Sequence, residues 1–369
     1  KAMAPSEEPA MNDTTPDLLL LKAYEGSAIK TPNRVAMAPM TRNRAGEERC
    51  ANAMMATYYA QRASAGLLIS ESIDVSPGAI GYPGTPGLYS DAQEKGWREV
   101  VGAVREAQTE RAPFFCQLFH TGRISHESLR GGAPPYAPSA VRAEVDLYTP
   151  LGMQQASTPH ALTTDEVEGV VAEYVAAARR AMEAGFDGIE INAGNGYLID
   201  QFLRDKTNKR TDRYGGTAAK RTQFLLDIVD ALSDIIGGNK VAVRISPVNA
   251  TNDISDSDPV QLFTTVADAL ESRTLAYLHV IEAADNVTLT PVLRERFSGT
   301  MIINDGYDRA RAEAALRDGL GDLVSFGRLF LANPDLPRRF ALEAELNEPD
   351  PTSFYGGTDQ GYTSYPSLP

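Results

Sequence analysis

Two carboxamides and a phenol follow one short apolar run near the middle of the chain. The run is Gly188-Ile189-Glu190-Ile191, and Asn192, Asn195 and Tyr197 come within the next six positions. Carboxamides donate and accept hydrogen bonds without carrying charge. A barrel strand presents chemistry at its C-terminal end in this way, so the spacing predicts a polar site there. The alternatives are that the asparagines only cap a turn and that the phenol belongs to the core.

The residues that leave the other apolar runs are also polar. They are Thr41, Ser70, Glu71, Ser72, Gln117, His120, Arg244, His279, Glu282, Asn304, Asp305, Gly327 and Arg328. These ends carry no metal-ligand spacing, no Ser-His-Asp order, and neither a lysine nor a cysteine that could act as nucleophile. A site of donors and acceptors alone predicts a cofactor that performs the chemistry itself. His120 is expected to be structural, and the sequence gives His279 and Glu282 no role.

Eight apolar, β-rich runs alternate with helical segments and predict the elements that position these residues. The runs are 34–40, 67–70, 114–120, 188–192, 241–246, 275–280, 301–304 and 323–326. Such alternation indicates a parallel sheet covered by helices, and eight strands close a barrel. A doubly wound sheet is the rival, but it wants a glycine-rich turn after its first strand, where the chain has Met40-Thr41-Arg42-Asn43. We therefore predict an α/β (β/α)8 TIM barrel.

The predicted helices lie between these runs. They are 52–65, 97–108, 165–184, 221–236, 260–271, 309–318 and 336–345. The clearest is 165–184, with Thr163 and Glu166 placed as a capping box and Gly185 as its end. Asp258-Pro259 and Thr290-Pro291 have the pattern of an N-cap followed by proline.

The chain has the organisation of one domain, from residue 17 to residue 369, with no low-complexity linker. A long irregular segment, 122–162, follows the third strand and is expected to lie over the mouth of the barrel. The tail after the eighth strand is expected to close the site. Residues 1–16 are expected to be a disordered leader, partly foreign to the native protein and outside the barrel.

Composition excludes several classes of partner. The chain has 35 basic and 49 acidic residues, a formal net charge of −14, so nucleic acid and anionic membrane surfaces are not expected partners. The two cysteines, Cys50 and Cys116, form no disulfide framework, which fits a reducing, cytoplasmic location. Cys116 lies in an apolar run and is expected to be a small buried hydrophobe.

The stretch FDGIEINAGNGYLIDQFL, residues 186–203, resembles the fourth-strand signature of the old yellow enzyme family, the flavin-dependent ene-reductases. Seven further segments resemble motifs of the same family in the same order, from about residue 19 to residue 365. They are MAPMTR at 37–42, SES at 70–72, GYPGTPGLYS at 81–90, QLFHTGR at 117–123, VAVRISPVN at 241–249, and FGR with LANPD at 326–335, followed by the tail FYGGTDQGYTSYP at 354–366. Three positions depart from the family: Asn192 where histidine is usual, Phe119 for tryptophan, and Ser72 for alanine or glycine.

The resemblance implies non-covalent FMN, with NADPH or NADH as reductant. The implied cofactor-binding residues are Ala38, Pro39, Met40, Thr41, Ser72, Gln117, Arg244, Asp305, Gly306, Phe326, Gly327 and Arg328. Asn192 and Asn195 would bind the substrate oxygen and Tyr197 would supply a proton, while Tyr82, Phe119 and Tyr355 would wall the pocket. The implied reaction is reduction of the activated C=C bond of small-molecule enones, maleimides or nitroalkenes.

Two other functions remain open from the residues. One is a barrel enzyme without flavin that binds a phosphorylated substrate at the same phosphate site. The other is a flavin-binding protein with no catalytic activity. The residues do not determine the oligomeric state.

Overall fold

Eight parallel strands form a closed barrel in the computed structural model, which describes residues 17–369; the predicted leader lies outside the described residues. The strands are β1 Val35–Met37, β2 Leu67–Ile69, β3 Phe114–Phe119, β4 Gly188–Asn192, β5 Val241–Ile245, β6 Leu278–Ile281, β7 Met301–Asn304 and β8 Leu323–Phe326. β4 pairs with both β3 and β5, and β8 pairs back to β1 through Ser325 and Ala36. The predicted TIM barrel is confirmed. The sixth run was placed too early, because 275–277 precede the strand.

Helices lie between the strands and cover the barrel. They are α1 Ala53–Ala60, α2 Asp91–Ala107, α3 Thr164–Ala184, α4 Leu198–Leu203, α5 Ala218–Ile236, α6 Pro259–Glu271, α7 Thr290–Arg296, α8 Arg309–Arg317, α9 Arg328–Ala332 and α10 Leu336–Leu342. The start predicted at 97 for α2 was wrong, since Ser90 caps that helix by accepting from the N–H of Gln93. Gly96 lies inside this helix, and the position requires glycine because a Cβ there would meet the carbonyl oxygen of Ala51 at 2.3 Å.

The predicted helix ends depend on local hydrogen bonds that the structure contains in all but one case. Thr163 and Glu166 form the capping box of α3, and Gly185 ends that helix with φ 98°. Asp258 accepts from the N–H of Gln261 at the start of α6. Thr290 is not an N-cap, because its hydroxyl donates to Glu282 instead. Glu282 accepts five hydrogen bonds from residues 288–290 and so fixes the start of α7.

Side chains alternate between the inside and the outside of the barrel along every strand. On β3, Phe114 and Cys116 face the helices, whereas Phe115 joins an interior apolar cluster with Ile69 and Tyr277. Cys116 is a fully buried free thiol, as predicted. The alternation means that every second residue towards the C-terminal end of a strand faces the barrel axis.

A polar layer lies above the interior apolar cluster. Gln117 donates to Glu190 at 2.7 Å, and Glu190 accepts from His279 Nδ1 at 2.9 Å. His279 Nε2 lies 2.8 Å from the hydroxyl of Ser325, which completes the chain across the barrel. All four side chains are buried. His279, which received no role from the sequence, therefore links β4 to β8 beneath the mouth.

The long segment after β3 lies at the C-terminal mouth but is more regular than predicted. It contains an antiparallel hairpin, Asp146–Thr149 with Gly152–Gln155, and a parallel pair, Tyr136–Ala137 with His160–Ala161. The tip of the hairpin exposes Tyr148, Leu151 and Met153. In the part of the chain that the structure describes, no helix is long and apolar enough to cross a bilayer.

Candidate active site

A cavity of about 1670 Å³ opens at the C-terminal ends of the barrel strands. A pocket for one small ligand usually measures about 300–1,000 Å³, so this cavity can hold a cofactor and a substrate together. The predicted site residues that line it are Ala38, Pro39, Met40, Thr41, Tyr82, Asn195, Tyr197, Arg244, Asp305, Gly327, Arg328 and Tyr355. The predicted residues outside this lining are Ser72, Gln117, Phe119, Asn192, Gly306 and Phe326.

Tyr197 stands in the cavity between two other aromatic rings. Its hydroxyl lies 3.2 Å from the hydroxyl of Tyr82, and the ring of Phe119 meets its ring edge-on at a centroid distance of 5.3 Å. Phe119 is fully buried, so it supports Tyr197 from behind the cavity wall. Burial raises the pKa of Tyr197 above its ordinary value. The phenol therefore keeps its proton at neutral pH and can donate it.

The loop that carries Tyr82 is held by a buried ion pair. Arg49 Nη1 lies 3.3 Å from the Asp74 carboxylate and donates to the carbonyl oxygens of Tyr82 and Thr85, at 3.1 Å each. Burial raises the pKa of Asp74 to about 7, although Arg49 acts in the opposite direction. The ion pair therefore holds the backbone of this loop in the position from which the Tyr82 hydroxyl contacts Tyr197.

The two predicted carboxamides lie in different surroundings. Asn195 lines the cavity in a left-handed backbone conformation, φ 57°, which asparagine tolerates better than most residues. Asn192 is only 2% exposed, and its Nδ2 faces Gln117 Oε1 at 3.4 Å. The structure thus places Asn195 at the surface of the cavity and Asn192 behind it.

Arg244 supplies positive charge to the cavity from the end of β5. One guanidinium nitrogen donates to Asn304 Oδ1 at 3.2 Å, and its Nε is buried with no hydrogen-bond partner among residues 17–369. Burial lowers the pKa of Arg244, while the Glu190 carboxylate raises it. An unpartnered buried N–H of a charged group is costly unless a ligand accepts from it.

A second cationic group lies at the end of β8. Arg328 begins α9, is exposed and lines the cavity, next to Gly327. A Cβ at Gly327 would have Met40 Sδ as its nearest neighbour, at 3.6 Å. Backbone N–H groups and a guanidinium at this end of a barrel form a typical phosphate site. Gly306 lies on the loop after β7 with φ 74°, and Phe326 packs into the core against Phe340.

The chemistry of these donors fits FMN. Arg244 offers positive charge to the polar edge of such a ligand, and Arg328 offers it to the phosphate. Between the two arginines, Thr41 offers a hydroxyl and Met40 an apolar surface. Ser72 and Gln117 lie behind this surface. Ser72 donates to Gln117 Oε1 at 2.5 Å, and Gln117 also donates to Glu190. This leaves one N–H of Gln117 for a ligand.

Two buried arginines hold the tail at the cavity mouth. Arg42 donates to the carbonyl oxygens of Phe354 at 2.8 Å and Gly361 at 2.9 Å. Arg44 donates to the carbonyl oxygen of Thr358 at 3.0 Å. Tyr355 lines the cavity, yet it is 71% exposed, so it stands at the rim.

Sequence reasoning missed two asparagines on the loop after β5 and the hairpin after β3. Asn249 and Asn252 both line the cavity and contact Asn195. Leu147 and Tyr148 of the hairpin also line it. Asn249 directly follows the SPV segment at the end of β5, and Asn252 comes three residues later; this position was the one available signal. Within residues 17–369, no cluster of His, Cys, Asp or Glu could hold a metal ion.

The chain matches the model of one protein family along most of its length. Residues 27–347 match the NADH:flavin oxidoreductase / NADH oxidase family. It is also 40% identical to 12-oxophytodienoate reductase 1 of Oryza sativa subsp. japonica, across 95% of this chain and 93% of that protein. It is 39% identical to 12-oxophytodienoate reductase 2 of Arabidopsis thaliana, across 95% of this chain and 96% of that protein.

Solved structures agree with these sequence matches. Morphinone reductase in complex with tetrahydroNAD superposes with a TM-score of 0.90 and 44% identity, covering 95% of this chain and 98% of that one. The old yellow enzyme homologue from Zymomonas mobilis superposes with a TM-score of 0.91 and 40% identity, covering 95% of this chain and 99% of that one.

Proposed function

The chain belongs to the NADH:flavin oxidoreductase / NADH oxidase family, and from that membership we propose how its cavity performs an ene-reduction. The protein is an FMN-dependent, NAD(P)H-using ene-reductase of the old yellow enzyme type. The observation that carries the assignment of residues is the meeting of Arg244, Asn195 and Tyr197 in one cavity large enough for two ligands.

A bound FMN would supply the hydride chemistry, between NAD(P)H and the β-carbon of an activated C=C bond. Arg328, with the backbone N–H groups of Gly327 and Gly306, would bind its phosphate. Arg244 would offer its unpartnered Nε to the polar edge, where the guanidinium would stabilise negative charge. Thr41 and Gln117 would supply further hydrogen bonds, and Ser72 orients Gln117 by donating to its oxygen.

Tyr197 supplies a proton to the α-carbon of the substrate. Its raised pKa keeps the hydroxyl protonated until the substrate carbon develops negative charge. The Tyr82 hydroxyl, 3.2 Å away, orients that proton donor, and Phe119 restricts the ring from behind. General acid catalysis of this kind contributes about 10²–10⁴-fold to a rate.

Asn195 binds the electron-withdrawing oxygen of the substrate by an uncharged N–H donor. Asn192 contributes from the layer behind, where its Nδ2 keeps one N–H beyond its bond to Gln117. Neutral donors that are fixed before the reaction stabilise the oxygen as its charge grows, and they cost no reorganisation.

The substrates that suit this site are small enones, maleimides and nitroalkenes. Relatives named as reductases of 12-oxophytodienoate and of morphinone support this class. Tyr82, Phe119 and Tyr355 set the shape of the space above the cofactor. The acidic composition disfavours nucleic acid as a partner, and the absence of a disulfide framework supports a cytoplasmic location.

The experiment is NADPH oxidation by the purified protein under nitrogen, with a panel of enones, maleimides and nitroalkenes. We expect a yellow protein that releases intact FMN on denaturation and consumes NADPH only with an acceptor. Bound flavin without turnover of any acceptor would indicate a non-catalytic flavoprotein. A colourless protein that takes up no FMN would reject the residue assignments and favour a phosphorylated substrate at the same site.

A further inference from the structure

The loop after β5 holds every backbone polar group of Asn195. Ser246 Oγ accepts from its N–H at 2.7 Å, and Asn252 Nδ2 donates to its carbonyl oxygen at 2.7 Å. Asn249 Nδ2 donates to its side-chain oxygen at 3.2 Å. The left-handed conformation of Asn195 is thus held by three side chains from one neighbouring loop.

The orientation of the Asn195 amide follows from a backbone group. The N–H of Thr251 donates to Asn249 Oδ1 at 2.7 Å, and a backbone N–H can only donate. The Asn249 oxygen must therefore face Thr251, and its nitrogen must face Asn195. Since that nitrogen donates, the Asn195 atom opposite it must be the oxygen. Asn195 Nδ2 then points away from the loop, and it has no protein partner anywhere in residues 17–369.

The same reasoning applied to Asn192 gives a different result. The N–H of Gly194 donates to Asn192 Oδ1 at 3.2 Å, which fixes that amide as well. Its nitrogen, however, faces Gln117 Oε1 inside the barrel. Both amides are oriented by a backbone donor, but only Asn195 presents its whole NH₂ group to the cavity.

Close packing keeps the loop in register with the turn that carries Asn195. A Cβ at Gly194 would meet the backbone nitrogen of Ser246 at 2.8 Å. A Cβ at Gly196 would meet the carbonyl oxygen of Thr251 at 2.7 Å. The glycines on both sides of Asn195 therefore allow the loop to approach closely enough for the hydrogen bonds to form.

We propose that Asn249 is a positioning residue that fixes the Asn195 amide with its N–H groups toward the substrate oxygen. The proposal rests on the proposed function in one respect, that a substrate oxygen lies against Asn195. It adds that Asn249, on the loop after β5, decides whether Asn195 presents its N–H groups or its oxygen to the cavity. Asn249 itself does not contact the substrate oxygen.

The decisive variant is Asn249→Asp, which keeps the size of the side chain and its bond to Thr251 but replaces the donor with an acceptor. The Asn195 amide must then turn, so that its nitrogen faces Asp and its oxygen faces the cavity. We expect kcat/KM for cyclohexenone to fall roughly 10- to 100-fold, as for loss of a hydrogen bond to a developing charge. The matched control is Asn239→Asp, exposed just before β5 at the opposite end of the barrel, which should behave as the parent.

Ligand binding separates reorientation from general damage. The oxidised holoenzyme is titrated with cyclohexenone, whose oxygen only accepts, and with cyclohexenol, whose hydroxyl also donates. In Asn249→Asp the dissociation constant of the enone should rise roughly 10- to 100-fold while that of the alcohol changes little, since its O–H can donate to the turned amide. Equal weakening of both ligands would overturn the proposal.

A double-mutant cycle removes the direct effect of the added charge. If Asn249 acts through Asn195, Asn249→Asp should have no further effect on either measurement in an Asn195→Leu background. An equal loss in both backgrounds would show a charge effect and overturn the proposal. Should Asn249→Asp fail to fold, Asn249→Ser, whose hydroxyl is too short to reach Asn195, should weaken the enone roughly 3- to 10-fold in the parent background only. Parent enzyme that reduces no enone would instead reject the proposed function.

Discussion

The polar layer inside the barrel and the polar mouth above it use similar side chains in opposite ways. Inside, Gln117, Glu190, His279 and Ser325 are fully buried and linked in one chain. At the mouth, the Asn195 N–H groups and the Arg244 Nε have no partner among residues 17–369. The inner layer therefore makes nearly all of its hydrogen bonds within the protein, with one N–H of Gln117 left over, whereas the mouth keeps several donors for ligands.

The difference shows how one barrel supports stability and catalysis from successive inward-facing positions of the same strands. On β4, Glu190 belongs to the inner layer, and Asn192 lies two residues closer to the mouth. Burial would raise the pKa of Glu190, but His279 and Arg244 lower it overall, so the carboxylate stays charged. It balances the buried guanidinium that the mouth needs for its ligand.

The largest effect is expected at the mouth, from Tyr197→Phe. This change removes the proton donor and keeps the ring, so reduction of a cyclic enone should slow by roughly 10²–10⁴-fold. Reduction of the flavin by NADPH should persist, because that step needs no proton from Tyr197. Stopped-flow measurement of the two half-reactions separates them. Tyr24→Phe, at the closed end of the barrel, is the control, and an unchanged enone rate in Tyr197→Phe would remove this residue from the mechanism.

In the inner layer, Glu190→Leu should reduce stability rather than catalytic specificity. It leaves the buried charge of Arg244 uncompensated and two donors without an acceptor, at a cost of about 3–5 kcal/mol. Urea unfolding measures this cost. Ile191→Val, on the helix-facing side of the same strand, should cost only about 0.5–1.5 kcal/mol. Equal losses in the two variants would mean that the inner layer contributes no more than apolar packing.

Arg328→Ala tests whether the mouth binds the cofactor phosphate. We expect FMN affinity to fall by about 1.5–3 kcal/mol, the range for a hydrogen bond to a charged group. Because Arg328 is exposed, the unfolding free energy of the FMN-free protein should not change. Fluorescence titration of that protein with FMN measures the affinity, with Arg338→Ala on α10 as the surface control. Parent-like affinity would place the phosphate elsewhere.

Asn192 and Asn195 allow the same comparison between a paired and an unpaired amide within one turn of the chain. Asn195→Leu should raise the barrier by about 1–3 kcal/mol, since its amide faces the cavity, and it should cost about 1 kcal/mol of stability because leucine tolerates the left-handed backbone less well than asparagine. Asn192→Leu should lower the unfolding free energy more, because the buried N–H of Gly194 loses its acceptor. Neither amide titrates, so enone binding by the parent should show no transition from this pair between pH 5 and 8. Kinetics and urea unfolding on the same preparations would contradict this division if both variants lost stability equally.

The smallest effect is expected from His120, beside the mouth. Burial lowers the pKa of His120 from 6.5 to about 3, and its Nδ1 accepts from the N–H of Gly122 at 3.0 Å. A base with a depressed folded pKa contributes stability above pH 6.5 and loses it as the pH falls, by about 1.4 kcal/mol per pH unit for one group. His120→Asn keeps an acceptor but does not titrate. In this variant the thermal melting temperature should depend less on pH between pH 6.5 and 5. An unchanged slope would mean that His120 is not buried in its neutral form.

Much of the fold could be predicted because period and spacing are local properties. The strand 188–192 was predicted with its observed bounds, and the capping box of Thr163 and Glu166 is present. The errors occurred where tertiary contacts override a local signal. The helix predicted from residue 97 begins at Asp91, and Thr290 had the pattern of a cap but binds Glu282 instead.

Much of the candidate site could be predicted from the order of its motifs, because strand ends of a barrel converge on one mouth. Tyr197, Asn195, Arg244 and Arg328 do meet at one cavity. Asn249 could not be found in this way, because its importance depends on which atom of Asn195 it meets. That contact joins residues 54 positions apart in the chain.

The sequence by itself determined the eight strands, seven of the helices and the set of polar groups that leave the strand ends, since all of these follow from residue type and period. The short helices α4, α7 and α9 were not among the predicted ranges. The tertiary structure alone decided which of those groups are paired inside the barrel and which remain free. Asn192 and Asn195 are identical residues three positions apart, yet one faces Gln117 and the other faces the cavity. The reason is physical: a hydrogen-bond donor becomes available to a ligand only where the surrounding packing leaves it without a protein partner.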